Sequence, residues 1–269
     1  MLVIDSLRLY GRYVSVSLRG QMEYRANTFL YVIGQFLITG IEFLAIWSLF
    51  DRFGSLEGWS LPQVALLYGM ANISMALATA FTRGFEVFDQ MVKAGGFDRL
   101  LLRPRSTALQ VTAQHLHLAR LGRLVQGLAV LVWAVAALDV EWGVGKPVLL
   151  VAAVLGGACL FSALFVLQAT MCFWTTESLE IVNTVTFGGL ETAQYPIAIY
   201  ARWFRRFFTF VIPLACMNYF PSVAITGGPD PVGTPAWVSW LSPLAGFLFL
   251  LLALRVWRFG ERRYRSTGS

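Results

Sequence analysis

Charge is scarce in this chain. Only 13% of its 269 residues are Asp, Glu, Lys or Arg, about half the share of an ordinary soluble domain. That excludes a water-soluble fold with a solvated surface. Cysteine is rare too. Cys159, Cys172 and Cys216 sit in apolar surroundings, odd in number and without metal-ligand spacing, so they read as buried free thiols rather than a disulfide frame or zinc site. The two histidines, His115 and His117, would point about 200° apart on a helix and cannot share one metal. No phosphate loop is present: Gly145-Lys146 runs into Pro147, and no glycine stands where a G-x-x-x-x-G-K-[ST] loop needs one. No H-E-x-x-H or G-x-S-x-G motif occurs, so a membrane enzyme ranks last among the function classes. Glu177-x-x-Glu180 reads as an acidic helix start favoured by the helix dipole. No internal repeat is visible. The first 28 residues carry four arginines and lack the apolar core of a cleavable signal.

What is abundant is apolar sequence, at 57%. It comes in continuous runs, whereas barrel strands would alternate polar and apolar residues. The expectation is an all-α polytopic membrane protein, with residues 1–269 forming a single membrane domain. Sixteen of the 21 basic residues fall in residues 1–28, 83–123 and 255–269. These segments alternate with charge-poor loops, which places them and both termini in the cytoplasm. The charges flank spans instead of forming one patch, so no nucleic-acid partner is expected.

Six spans are expected. Residues 5–25 place Leu7, Tyr10, Val14, Leu18 and Met22 opposite Arg8, Arg12, Arg19 and Glu23, an amphipathic helix suited to the cytoplasmic interface. This interfacial segment occupies residues 1–28. The first span runs from Phe29 to Leu49; 21 residues reach ~31 Å, enough for the hydrocarbon core. A short outer loop leads to the second span, Gln63 to Thr82. The third, Leu118 to Leu138, follows the cytoplasmic loop 83–115, and the fourth is Val148 to Phe173. Ala152-x-x-x-Gly156 and Ala153-x-x-x-Gly157 allow close helix packing, either within the subunit or at a dimer seam. The fifth span is either 179–196 or 207–226. Positive-inside counting favours the second, because it keeps Arg202, Arg205 and Arg206 in the cytoplasm. The last is Trp237 to Trp257, with Trp237, Trp240 and Trp257 as interface anchors.

The stretch from Met91 to Arg105 organises the chain. Gly95-Gly96 permits a backbone break. Phe97 to Leu101 then reads as one short helix, stopped before Arg103-Pro104 because the residue before proline avoids the α region. The string Lys93-x-Gly95-Gly96-Phe97-Asp98-x-x-Leu101-Leu102-Arg103-Pro104 resembles the first cytoplasmic loop of one branch of the ABC-2 family of transporter permeases. The resemblance covers most of the chain in length and hydropathy.

That resemblance implies a coupling helix docking on a separate ATPase subunit, with Lys93, Gly95, Gly96, Phe97, Asp98, Leu101, Arg103 and Pro104 as coupling residues and Phe97 as the apolar knob. It implies a second permease, identical or related, beside this one in the lipid membrane of a prokaryotic cell. ATP and Mg would be held by the partner ATPase, with no cofactor on this chain. The implied transport is export of a hydrophobic or amphipathic substrate. It also makes 179–196 the fifth span and 198–226 an outer re-entrant segment, with Pro196, Tyr200, Pro213 and Pro221 as gate residues. Glu42 and Glu191 are the acidic residues deep in expected spans. Intramembrane carboxylates usually face a cavity or a partner. They mark either a polar point on the transport path or hydrogen bonds to Asn72, Asn183 or Gln194. An ion-coupled secondary transporter using these two carboxylates is the alternative; the inverted repeats expected of one are missing.

Overall fold

The computed structural model describes residue 11 and residues 19–103, 105–114, 118, 120–175, 180–228, 230, 233 and 235–264. The described residues are helical with no strand. Most of the expected interfacial helix lies outside them, as do His115, His117, Glu177 and Pro104.

Four long helices match the first four expected spans, each extended by a few residues at one or both ends or trimmed slightly. They are α1 (Arg25–Phe53), α2 (Leu61–Glu86), α6 (Arg120–Ala137) and α7 (Gly145–Thr175). Between α2 and α6 lie three short helices, α3 (Phe88–Lys93), α4 (Gly96–Leu101) and α5 (Thr107–Gln114). Helix α2 is central. Every residue from Val64 to Ala76 is buried, and α1, α6 and α7 pack around it. Its start is fixed by Gln63, whose Oε1 accepts from the Ser60 backbone N–H at 2.8 Å, with Pro62 in the first turn, where no hydrogen bond is lost.

The small-residue pairs of α7 are used within the chain. A Cβ built on Gly156 would lie 2.5 Å from the Pro243 carbonyl, and one on Gly246 would lie 1.9 Å from the Gly156 carbonyl. Gly157 meets Ser74 of α2 in the same way, at 2.5 Å. The two adjoining faces of α7 therefore carry two different neighbours, and both seams are intramolecular.

The C-terminal half is more broken than its hydropathy suggests. Helix α8 (Glu180–Ala193) has 14 residues and reaches only ~21 Å. Helix α9 (Arg202–Arg206) runs into a π turn at Phe207–Val211, then a 3₁₀ turn at Leu214–Cys216 and α10 (Tyr219–Thr226). The two halves of this segment are bent by 71° at Ile212-Pro213. The expected straight last span is divided into α11 (Ala236–Leu241) and α12 (Leu244–Glu261). The cause is Pro243, which has no N–H and displaces the carbonyl four residues back. That carbonyl belongs to Ser239, and it accepts instead from the Ser242 hydroxyl at 3.0 Å. Among the described residues, four helices can cross a membrane by length and composition, or five if the bent pair is one span. Six were expected; α8 is short, and α12 carries Arg255, Arg258 and Glu261.

Two clusters mark the ends of α2. At its start Trp59 packs on Tyr219, centroids 5.7 Å apart, and Gln63 lies against Gly228. At its end Phe85 meets Trp257 edge-on at 5.0 Å. The bent segment and the α4 loop thus occupy opposite ends of the bundle.

Candidate coupling and pathway sites

The loop after α2 is built as expected but faces otherwise. Helix α2 leaves helical geometry at Thr82 (φ −112°, ψ 15°), whose hydroxyl donates back to the Ala78 carbonyl at 2.6 Å. Gly95 then takes φ +66°, a left-handed conformation that a side chain would strain, and α4 starts at Gly96. Lys93 pairs with Asp89 at 3.9 Å across one helical turn. Gln110, buried on α5, donates to the carbonyls of Leu100 at 3.3 Å and Arg105 at 3.2 Å. This clamps the end of α4 onto the next helix.

Phe97 is not a knob. It is 0% exposed, and its ring lies 5.0 Å from Phe88, 5.4 Å from Phe173, 5.1 Å from Tyr264 and 6.2 Å from Trp257. The physical reason is the helix face. Phe97 and Leu100 stand three apart and point inward together, leaving Arg99, Leu101 and Leu102 on the outer side. Leu102 is 85% exposed and is the loop's free apolar side chain. Trp257 is likewise no interface anchor: it is buried in the same cluster, donating its indole N–H to the Thr107 hydroxyl at 3.1 Å. Trp237 and Trp240 do stand exposed. Asp98 is half-buried beside Tyr264. Burial first, and then the Asp98 carboxylate, push the Tyr264 phenol above its ordinary pKa, although that hydroxyl makes no hydrogen bond of normal geometry.

Sequence reading missed several members of this site. Phe88, Phe173 and Tyr264 belong to it only through tertiary packing, since they come from three separate helical regions. Glu86 was missed as well. Its carboxylate pairs with Arg83 on its own helix and with Arg120 of α6 at 3.7 Å, tying the end of α2 to the start of α6. Beside α4, a cavity of about 710 Å³ opens between Leu101, Leu109, Thr112, Leu254 and Arg258.

The carboxylates of Glu42 and Glu191 are not satisfied as the hydrogen-bond reading supposes. Glu42 on α1 is half-buried, and its Oε2 is buried without a partner. Asn72 donates to the carbonyl of Tyr68 on its own helix at 3.1 Å, and Gln194 Nε2 is buried without an acceptor. Among the described residues no hydrogen bond joins Glu42 or Glu191 to Asn72, Asn183 or Gln194. Glu42, Arg123 and Glu191 each lie within electrostatic range of Tyr68. Tyr68 donates to the Thr39 carbonyl at 2.7 Å. Arg123, with Nε and Nη1 buried and unpaired, was not singled out from sequence, where it counted among the basic residues of 83–123.

At the opposite end, Pro196 opens a 3₁₀ turn at Ile197–Ile199, and Tyr200 stacks on Phe204 at 4.9 Å. Pro213 stands at the 71° bend. Pro221 sits in the first turn of α10, where proline is tolerated; of the two prolines, only Pro213 marks the break. Asn218 ties the segment together, accepting from the Tyr219 N–H at 2.7 Å and donating to the Ala193 carbonyl at the end of α8.

Among the described residues no group of His, Cys, Asp and Glu is placed to hold a metal ion. No curated protein and no solved structure matches the chain. One family model does, described as ABC-2 family transporter protein and matching residues 36–268. It takes in α1 from Phe36 onward, the other long helices, the α4 loop and the bent segment. The chain is a multi-pass membrane protein and belongs to the ABC-2 family of transporter proteins.

Proposed function

We propose that this chain is the membrane subunit of an ATP-driven exporter. Two permease subunits, identical or related, form the pathway, and two ATPase subunits beneath them hold ATP and Mg. The ABC-2 family works typically with such ATPase partners. The observation that carries the reading is the build of α4. Its inner face is locked by Phe97 into an aromatic cluster with α7 and α12, while Leu101, Leu102, Arg99 and Arg103 face outward. A helix that is tied inside and exposed outside can pass a push from a docked partner to the bundle. The apolar contact to the ATPase is made by Leu102 and Leu101, beside the cavity along α5 and α12, with Lys93, Asp98 and Arg103 as polar flanks. Gly95-Gly96 sets the turn that presents them.

The membrane carries the bundle with the α4 end and both termini in the cytoplasm of a prokaryote. Helix α8 with residues 194–199 makes the fifth crossing, and 202–226 stays at the outer end as a re-entrant gate. Its contact with Trp59, opposite the α4 loop, supports that placement. Glu42 and Glu191, with Arg123 and Tyr68, form the polar point on the path of an amphipathic substrate.

Co-expression with an ABC ATPase subunit of the same genome tests the proposal. The tagged chain should retain the ATPase through purification, and vanadate should stop transport in vesicles. Transport that ignores vanadate and collapses with the proton gradient would establish the ion-coupled alternative.

A further inference from the structure

The bent segment carries three arginines within five residues, and they line one cavity. Arg202, Arg205 and Arg206 border a space of about 600 Å³ together with Phe210, Phe220 and Cys216. Arg202 stands three and four positions before the other two, so all three share one helix face. Like charges so placed repel unless an anion lies among them. Among the described residues no carboxylate makes an ion pair with any of them. Basic residues are also depleted on the outer side of a membrane, where the proposed function puts this segment. The rest of the lining is mostly apolar, and its size is that of a small-molecule site. The surroundings point to the membrane interface: Phe210 of the lining stands exposed, as do Trp203 and Trp237, next in sequence to the lining residues Arg202 and Val238, in the manner of residues with an apolar body at headgroup level.

We propose that this cavity binds an anionic amphiphile, with a phosphodiester headgroup held by Arg202, Arg205 and Arg206 and its apolar body against Phe210 and Phe220. The planar guanidinium fork suits phosphate oxygens, which it can grip with two parallel hydrogen bonds. The three cations supply charge and the aromatic wall supplies burial, so neither a neutral lipid nor a free anion satisfies the whole site. The orientation of the chain rests on the proposed function; the chemistry of the cavity does not.

Cys216 lines the cavity and reports on its occupancy. The full chain, carrying Cys159→Ser and Cys172→Ser, is reconstituted in nanodiscs of phosphatidylcholine alone or with phosphatidylglycerol, and alkylation of Cys216 by neutral N-ethylmaleimide is timed. A second protein, keeping only Cys159, serves as reference away from the cavity. Phosphatidylglycerol should slow Cys216 at least five-fold and leave Cys159 unchanged. Arg202→Gln, Arg205→Gln and Arg206→Gln together should abolish the protection. The lysine triple variant, which keeps the charge but loses the fork, should keep part of it. Ten millimolar inorganic phosphate in phosphatidylcholine discs should not protect. Equal rates in both lipids, equal slowing at Cys159, protection by phosphate alone, or protection surviving the glutamine variant would each overturn the proposal. ATPase co-purification is unaffected by this result, so the two readings fail separately.

Discussion

Replacing Phe97 by alanine separates an internal strut from a docking knob. The side chain is fully buried and touches four other aromatic rings. Truncating a packed phenylalanine costs about 3–5 kcal/mol, because the transfer free energy is lost and the site collapses only partly. Edge-on ring pairs add about 0.5–1.5 kcal/mol beyond burial, and this ring makes several. The strut therefore predicts a clear drop in the apparent melting temperature of the chain alone, in detergent and without any ATPase present. A knob on the surface would predict none.

Leu102→Asp is the opposite perturbation. Leu102 is largely exposed, so the isolated chain should melt as wild type, while the ATPase should no longer co-purify. Phe97→Ala should keep a substantial part of the ATPase at low temperature, where α4 still forms, but lose transport-coupled stimulation of hydrolysis. Measured together, melting by intrinsic tryptophan fluorescence at one scan rate and retention on an affinity column give a crossed pattern. Unchanged melting in Phe97→Ala, or full ATPase retention in Leu102→Asp, would refute the division of roles between the two faces of α4.

Four further outcomes rest on the packing and the topology. Gly246→Ala would place a methyl 1.9 Å from the Gly156 carbonyl, so α7 and α12 must separate; overpacking of this kind costs about 1–3 kcal/mol, read as lost yield and lower melting. Gly34→Ala, with nothing within 4 Å, should be silent. Gly95→Ala puts a side chain at φ +66° for about 1–2 kcal/mol, and should weaken ATPase stimulation more than it lowers melting. A single cysteine at Ser55, on a background without the native three, should react with an impermeant reagent from outside, and one at Ser106 only after permeabilisation; the reverse pattern would invert the topology.

The long helices were legible because they are set by continuous apolar runs, which bilayer thickness converts into length. The short helix after Gly95-Gly96 was legible because glycine and proline act locally. The inward face of Phe97 was not. Its direction depends on where Phe173, Trp257 and Tyr264 lie, and nothing within the loop encodes them. Four aromatics between Phe81 and Phe97 were the available hint. The division of the last span was legible in principle, since Pro243 stands inside it, but its apolar composition masked the break. Gly156 and Gly157 could not be assigned to a partner from sequence, because a small residue permits close approach by any helix. Glu42 was singled out as a costly group. Its neighbours were not: Arg123 and Tyr68 come from two other helices.

The arrangement limits how a push on α4 could travel. The Phe97 cluster holds α3, α7 and α12 at one end. Farther along, α7 and α12 meet backbone to backbone at Gly156 and Gly246. Two helices fixed at two separated points tilt together more easily than they slide, because interfaces packed at this density do not deform continuously. Regular helix ends at Pro243, where the Ser239 carbonyl has already left the helical ladder for a side-chain hydroxyl. The break is still bridged by the Ala245 N–H, which donates to the Ser242 carbonyl at 3.0 Å. On the other side of that break are α11, which contributes Val238 to the arginine-lined cavity, and α10, packed against α11. In the proposed exporter, a tilt of the α7–α12 pair would therefore reach the outer segment as a change of angle at Pro243, and Phe97 is the contact through which that tilt begins.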